Sequence, residues 1–335
     1  MTWDLIGHAW AEKMLQQHIA SGQVRHAYLF TGPSGLGRRT LALHFGMAIN
    51  CLQPSSPGMP CGTCRNCVQI QRMQYPDLTI VQSETVGGVL KIEQIRELQH
   101  QFSLAPYEAS KRVALLLRLE ESNDNAQNAL LKTLEEPNEK AILLLTADTA
   151  ENLLPTISSR CEVLKLYPVP VDDLTSALIK RENIDSEKAS LVAHIAGGRP
   201  GFAFHLLHEP ELLERRQGWL EDLLMLLKAN QRQRFAYCES NFYKGDDRNE
   251  IREVLREALT YWLSFWRDVL LTVSGADIPL TNLDFTEQVQ QISAQQNINS
   301  ARYFTQRIEN CLPRLSNANL RLLAESILLE WPQVS

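Results

Sequence analysis

From residue 32 to residue 40 the chain reads Gly-Pro-Ser-Gly-Leu-Gly-Arg-Arg-Thr, which has the glycine spacing of a phosphate-binding loop. A working loop reads G-x-x-x-x-G-K-[ST]: backbone N–H groups surround the phosphates, the Lys reaches the β- and γ-phosphates, and the hydroxyl holds Mg²⁺. Here Arg38 replaces the Lys with a planar fork instead of a compact ammonium. Arg39 replaces the Ser or Thr and has no acceptor for a metal ion. The loop therefore keeps the backbone of a phosphate site without its hydrolytic side chains.

The candidate nucleotide-binding residues of this degenerate loop are Gly32, Gly35, Gly37, Arg38 and Thr40. Thr40 comes one residue too late for the metal position, about 100° further around the following helix. The loop allows weak binding of a nucleotide without a metal ion, but it predicts no hydrolysis. The sequence thus leaves ATP binding open while it excludes turnover.

The segments on either side of the loop fit the same motif. His26–Phe30 is a short β-forming run, and Leu41–Ile49 has apolar residues at helical spacing. Strand, loop and helix in this order are the setting that the motif requires. The alternative is a Gly/Pro turn in an unrelated α/β protein, but chance matches usually lack these flanking elements.

Composition is that of an ordinary globular protein. With 335 residues the chain exceeds the size of a single core, so two or three domains are expected. A net charge of −6 argues against a protein that binds nucleic acid alone through a broad basic surface. No apolar run approaches the ~20 residues of a membrane span, and the N-terminus has no secretory pattern. Together with clustered cysteines that suit a metal better than disulfides, these features predict a cytoplasmic protein.

Residues 1–165 alternate β-runs with helical patterns, which predicts βαβ units and a mainly parallel sheet covered by helices. The predicted strands are Tyr28–Phe30, Leu78–Val81, Val113–Leu119, Ile142–Thr146 and Val163–Leu166. Residues 171–207 read as short helices. From Glu209 onward the pattern is helical, with an apolar stripe at 251–269 that indicates a helical core, and with a polar loop at Gln290–Ser300.

Four thiols lie within 17 residues, at Cys51, Cys61, Cys64 and Cys67. Their tight spacing lets one knuckle present several sulfurs to a single ion, as in tetrahedral Cys₄ zinc sites. An iron–sulfur cluster is one alternative, although nothing after Cys67 matches the C-x₃-C-P end of a ferredoxin run. Free buried thiols are the other. We predict zinc with a structural role, because no His lies near the cluster and no open coordination position is indicated.

Two further positions bear on phosphate chemistry. The run Val113–Leu117 is typical of a buried parallel strand, and in P-loop ATPases such a strand ends in an acid that helps to hold Mg²⁺. Here Arg118 follows, so this metal position is also lost, unless a register shift brings in Glu120. Otherwise Glu120 and Glu121 open a solvated loop. Arg160, at the mouth of the sheet, is either an arginine finger for a neighbouring site or an ordinary salt-bridged surface residue.

Taken together, these residues resemble the δ′ subunit family of bacterial DNA polymerase III clamp loaders. The matching stretches are Gly7-His8, His26–Pro33, the four-cysteine module, Asn128–Pro137 and Ser159-Arg160-Cys161. The resemblance covers residues 3–207 at the level of motifs and rests beyond that on helical character and length. The run Asn128–Pro137 is very specific for clamp-loader subunits.

The resemblance implies three domains. They are an α/β P-loop AAA+ domain with a mainly parallel sheet at 1–167, which carries the Cys₄ zinc module at 51–67, a small helical lid at 168–207, and an all-α collar at 208–335 that joins subunits.

Within this scheme, Arg160 would be a catalytic arginine finger that acts in trans on an adjacent motor subunit. Thr146 falls at the position of the first AAA+ sensor. Pro200 stands at that of the second-sensor Arg, with Arg199 one residue early. Without a competent loop beside it, Thr146 is not counted as active, and the departure at Pro200 agrees with the loss of a nucleotide cycle.

The family further implies a non-hydrolysing AAA+ scaffold subunit of the DNA polymerase III holoenzyme. Its partners would be the motor and δ subunits in a five-subunit ring, which loads the sliding clamp onto primer–template DNA without involving a membrane. The alternative is an autonomous AAA+ ATPase with an unusual Arg-containing loop. A DNA-binding module that acts alone is disfavoured by the acidic net charge.

Overall fold

The computed structural model describes residues 3–85, 87–104, 106–243 and 248–334. They form two compact units. The first comprises Met1–Ala177 with Gly198–Phe202, and the second comprises Leu178–Gly197 with Ala203–Ser335. The division into parts at residues 167 and 207 stays a prediction. Among the described residues, no helix combines the length and the apolar composition that a membrane span requires.

A five-stranded parallel sheet forms the centre of the first unit. Its strands are β1 (Ala27–Thr31), β2 (Leu78–Val81), β3 (Arg112–Leu116), β4 (Ala141–Ala147) and β5 (Glu162–Lys165). They lie in the order β2-β3-β4-β1-β5, and Leu29 of β1 is in register with Leu145 on one side and Val163 on the other. All five predicted strands are confirmed. Strand β3 ends earlier than predicted, because Arg118 adopts a left-handed φ of 52° that turns the chain out of the sheet.

Helices cover both faces of this sheet. They are α1 (Ala9–Ala20), α2 (Arg38–Asn50), α3 (Arg65–Gln71), α4 (Ile92–Ser103), α5 (Asp124–Glu135) and α6 (Pro155–Ser158). Alternate side chains of β1 point to opposite faces: Tyr28 and Phe30 pack with α1 and α2, whereas Leu29 packs with α4 and α5. Every residue of β1 and β4 is buried, as expected for a parallel sheet covered on both sides.

The remaining helices follow the last strand. They are α7 (Val171–Glu182), α8 (Ser186–Ala196), α9 (Pro200–His208), α10 (Pro210–Lys228), α11 (Gln231–Asn241), α12 (Arg248–Ser274), α13 (Thr286–Ser293), α14 (Ile298–Cys311) and α15 (Leu320–Glu330). In the second unit the core surrounds α12, whose predicted apolar stripe is confirmed by the burial of Trp262 and Trp266. Buried Arg234 donates to the carbonyls of Leu226 and Leu328, which lie in the last turns of α10 and α15.

The predicted polar loop at Gln290–Ser300 is wrong. Helix α13 extends to Ser293 and α14 begins at Ile298, so only a short connection separates them. Val289 and Ile292 are buried on one side of α13, and the polar residues between them occupy its outer side. Burial of this narrow apolar face overrides the low hydrophobicity of the segment.

Candidate functional site

The glycine-rich loop connects β1 to α2. Gly32, Gly35 and Gly37 have φ values of 139°, 86° and 91°, in the region that favours glycine. A Cβ atom on Gly32 would lie 2.6 Å from the carbonyl oxygen of Leu166, so a larger residue would displace the backbone there. Helix α2 begins at Arg38, directly after the last glycine. The structure therefore has the strand, loop and helix that the motif predicts.

Arg38 forms an ion pair inside the protein. Its Nη2 atom lies 2.9 Å from Oδ1 of Asp148, and only 9% of its side chain is exposed. Asp148 comes directly after β4, and the carboxyl ends of β1 and β4 are neighbours in the sheet. Nη1 of Arg38 is buried without a hydrogen-bond partner among the described residues. The cation at the former Lys position is thus already paired with a carboxylate of its own chain.

Glu120 adds a second carboxyl group to this region. Burial raises the pKa of Glu120, Asp148 raises it further, and Arg38 opposes the shift. Its Oε2 atom is buried and has no partner in the described part of the chain. Glu120 and Glu121 are both partly buried, so the prediction of a solvated loop at these residues is wrong.

Two further polar residues of the motif, Arg39 and Thr40, lie in the first turn of α2. Arg39 and Thr40 are both exposed. Gly32, Gly35 and Gly37 lie in the loop and Arg38 is the first residue of α2, whereas Thr40 is exposed in the first turn of that helix. The hydroxyl position of the motif is thus occupied by Arg39, which cannot hold a metal ion on a phosphate.

Residues 198–202, at the start of α9, cover the loop. The backbone N–H of Gly201 donates to the carbonyl of Gly35 over 2.7 Å. A Cβ atom on Gly35 would lie 3.0 Å from Cβ of Phe202, whose ring lies 4.6 Å beneath the guanidinium of Arg199. The sequence predicted only short helices in this region. The close approach of two backbones is the reason for glycine at 201.

The polar groups at the end of β3 are paired with one another. The backbone N–H of Arg118 donates to Oγ1 of Thr146 over 3.0 Å, so the predicted sensor hydroxyl is used within the sheet. Glu121 forms an ion pair of 2.8 Å with Arg118 and accepts hydrogen bonds from Ser83 and from the N–H of Gly87. Burial opposes ionisation, but these contacts outweigh it and hold the pKa of Glu121 below its usual range.

The four cysteines Cys51, Cys61, Cys64 and Cys67 converge, with all their Sγ atoms within 4.8 Å of one another. Zinc–sulfur bonds of about 2.3 Å place the sulfurs of a tetrahedral site about 3.8 Å apart, so this donor set fits such an ion. Backbone N–H groups of Cys61 and Cys64 donate to Sγ of Cys51 and Cys61. The N–H groups of Cys64 and Thr63 lower the pKa of Cys61 to about 6. The thiolate, which is the form that binds metal, is therefore favoured at Cys61, whereas burial raises the pKa of Cys51 and Cys67.

Arg160 lies on the surface after the short helix α6. Ile157, in α6, is buried in the core, and the N–H of Arg160 donates to its carbonyl over 3.0 Å. The side chain of Arg160 is 36% exposed, and its guanidinium forms a 2.8 Å ion pair with Glu135. It also donates to the carbonyl of Thr156 over 2.9 Å. The side chain is accessible and held in a defined direction.

A parallel sheet in this strand order, with a glycine loop between β1 and α2 and a largely helical C-terminal half, defines an AAA+ protein of the P-loop class.

Comparison with known sequences gives the particular family. A family profile described as "DNA polymerase III, delta subunit" matches residues 7–170, and its C-terminal counterpart matches residues 211–333. The DNA polymerase III subunit delta' of Bacillus subtilis is 29% identical over 321 residues, which cover 95% of this chain and 94% of that protein. The subunit of the same name from Pseudomonas aeruginosa is 33% identical over 223 residues, 66% and 67% of the two chains.

A solved structure of a DNA polymerase III gamma subunit-related protein from Thermotoga maritima is 18% identical, with a TM-score of 0.44 and coverage of 96% and 99% of the two chains. The chain belongs to the family of the DNA polymerase III subunit delta', a clamp-loader family. The matched relatives are named as subunits of DNA polymerase III, and they include subunit tau of Escherichia coli, which is 30% identical over 227 residues.

Proposed function

We propose that this chain is a clamp-loader subunit that does not hydrolyse ATP and that contributes Arg160 to the ATP site of a neighbouring subunit. The contrast between two arginines carries the proposal. Arg38 is buried in an ion pair beside the chain's own loop, whereas Arg160 is exposed on a turn that is anchored to the core.

Three features oppose hydrolysis at the chain's own loop. Phosphoryl transfer needs a cation on the phosphates and a side chain that holds Mg²⁺. Asp148 already offsets the positive charge that Arg38 could offer a phosphate, and Arg39 cannot bind a metal ion. The segment that begins at Gly198 lies on the loop where phosphates would enter. A nucleotide could bind there only weakly and without turnover.

Arg160 supports catalysis in trans. A guanidinium stabilises charge that develops on the transferred phosphoryl group, and it can donate to two oxygens at once because its fork is planar. The proposed neighbour is a motor subunit with an intact loop. In this proposal the chain, the motor subunits and a δ subunit form a five-subunit ring that loads the sliding clamp onto primed DNA.

The cysteine cluster is proposed to hold structural Zn²⁺ through Cys51, Cys61, Cys64 and Cys67. When bound, the ion cross-links the segment between α2 and α3 and supplies no reaction chemistry. All four donors come from the protein, so no position is left for water or substrate. We also propose that residues 1–167, 168–207 and 208–335 act as AAA+ domain, lid and collar, with the collar joining the subunits.

The proposal is tested on rings reconstituted from this chain and the other clamp-loader subunits. Arg160→Ala should leave assembly intact in gel filtration and should remove part of the clamp- and DNA-stimulated ATPase activity, because only the site that faces this chain is affected. Arg72→Ala, which removes another exposed arginine, should leave the rate unchanged. Unchanged rates in correctly assembled Arg160→Ala rings would contradict the proposal.

The alternative function, an autonomous ATPase with an Arg-containing loop, makes the opposite prediction for the chain alone. Purified free of motor subunits, the chain should show no steady ATPase activity. Turnover that Arg38→Ala abolishes would favour the alternative, because it would place catalysis at the chain's own loop.

A further inference from the structure

We infer that Glu135 is a positioning residue for Arg160, and this inference rests on the proposed function of Arg160. Oε1 of Glu135 lies 2.8 Å from Nη2 of Arg160. On the other terminal nitrogen, Nη1 donates to the carbonyl of Thr156 over 2.9 Å. Two anchors on different nitrogens define both the position and the plane of the guanidinium, which a single contact would leave free to swing.

Helix α5 supports the Arg160 turn at both of its ends. Glu135 is the last residue of this helix. Near its start, Oε1 of buried Gln127 accepts a hydrogen bond of 2.8 Å from the N–H of Leu154, the residue that precedes α6. Between these points, Leu130 and Leu134 share one core with Ile157 of α6. The carboxylate of Glu135 is therefore presented from an element that is packed rigidly against the turn.

The exposure of the pair indicates that its role is not to stabilise the fold. Half of the Glu135 side chain and about a third of that of Arg160 are in contact with solvent. Exposed ion pairs of this kind contribute little to folding stability. An ion pair that adds little stability can still matter for catalysis by fixing the position of a side chain. A shift of a catalytic group by about 1 Å can lower the rate by up to about 10²-fold.

The contacts leave donors free for a phosphate group. A guanidinium carries five N–H donors, of which the pair with Glu135 and the bond to Thr156 use two, while a contact of 3.5 Å to Oγ of Ser159 is at the limit. Arg160 can thus meet a phosphate of the adjoining subunit without releasing Glu135. The carboxylate orients the finger and does not compete for it.

The test uses reconstituted rings and the part of the stimulated ATPase rate that Arg160→Ala removes. Glu135→Ala should lower this part about tenfold, within the range that misplacement of a catalytic group can produce. Glu135→Gln keeps an acceptor oxygen at the same place and should restore most of the rate. Glu136→Ala removes the same charge from the next, exposed residue and serves as the matched control. The KM for ATP should stay unchanged in all of these variants.

A double variant assigns the effect to Arg160. In the Arg160→Ala background, Glu135→Ala should cause no further loss. An equal loss in both backgrounds would overturn the inference, because Glu135 would then act by another route. A rate that rises in both Glu135→Ala and Glu135→Gln would also overturn it, since the carboxylate would then be a competitor. If Arg160→Ala alone has no effect, the proposed function itself fails; if it lowers the rate and Glu135→Ala does not, only this inference fails.

Discussion

Two arginines of the first unit, Arg38 and Arg160, form ion pairs of nearly the same length in opposite surroundings. Arg38 pairs with Asp148 over 2.9 Å with 9% of its side chain exposed, and Arg160 pairs with Glu135 over 2.8 Å with 36% exposed. The two carboxylates are similarly exposed, so the difference lies in the arginines: Arg38 is enclosed by its own chain, whereas Arg160 reaches solvent. An ion pair therefore says little about function until its exposure and free hydrogen-bond capacity are known.

The largest expected effect is a difference in ATPase rate between the same substitution made at Arg160 and at Arg38. In assembled rings, Arg160→Met should slow the one facing ATP site by about 10³–10⁵-fold, while Arg38→Met should leave the ring's rate unchanged. Met retains an apolar stem in both places, so packing is matched. Single-turnover ATPase measurements resolve the slow site from the fast ones. A loss of activity in Arg38→Met rings that assemble normally would erase the functional contrast between the two arginines.

The next prediction concerns the cysteine cluster, where a substitution should change zinc content and stability without changing either arginine ion pair. Purified protein should contain about one zinc per chain, and Cys64→Ser should remove it and lower the free energy of unfolding by about 3–5 kcal/mol. Elemental analysis and chemical denaturation measure the two quantities. Cys161→Ser, which changes a cysteine outside the cluster, should keep the zinc. A preparation that contains iron with visible absorbance, or no metal, would rule out this assignment.

Removing the negative charge of Asp148 should free Arg38 to bind a phosphate, as is proposed for Arg160. Asp148→Asn keeps the size of the side chain and removes its charge, so the affinity of the isolated chain for a fluorescent ADP analogue should rise about tenfold, equivalent to about 1.4 kcal/mol. Fluorescence anisotropy without Mg²⁺ measures this. Glu151→Gln removes one charge from the same loop as a control. If the Asn variant gains no affinity, Asp148 does not control access to the loop.

The smallest expected effect concerns Glu120, whose pKa is raised mainly by burial. The folded state then holds this proton more tightly than the unfolded state does, so stability declines as pH rises from 4.5, the ordinary value for Glu, through the raised value. Glu120→Gln should remove this part of the pH dependence and raise the melting temperature slightly at pH 7. Melting curves recorded between about pH 4 and about pH 8 would show it. An unchanged pH profile would mean that burial does not perturb Glu120.

The sequence predicted the course of the backbone better than the contacts of the side chains. The strands, the helix after the loop and the convergence of the four cysteines follow from local patterns: runs of β-forming residues, apolar residues at helical spacing, and thiols too close in sequence to lie far apart in space. The segment 290–300 was mispredicted because Ile292, within it, and Val289, just before it, are buried in a core that helices elsewhere in the sequence contribute.

The loss of the hydrolytic residues could be read from the chain directly, because Arg39 stands where a hydroxyl is needed and a guanidinium has no lone pair to offer a metal ion. The partner of each arginine could not. Asp148 lies 110 residues beyond Arg38 and reaches it because β1 and β4 are neighbours in the sheet. Glu135 reaches Arg160 because α5 packs beside the α6 turn. Residue types limit which chemistry is available, but charges, burial and spare donors depend on distances between groups that strand order and helix packing bring together.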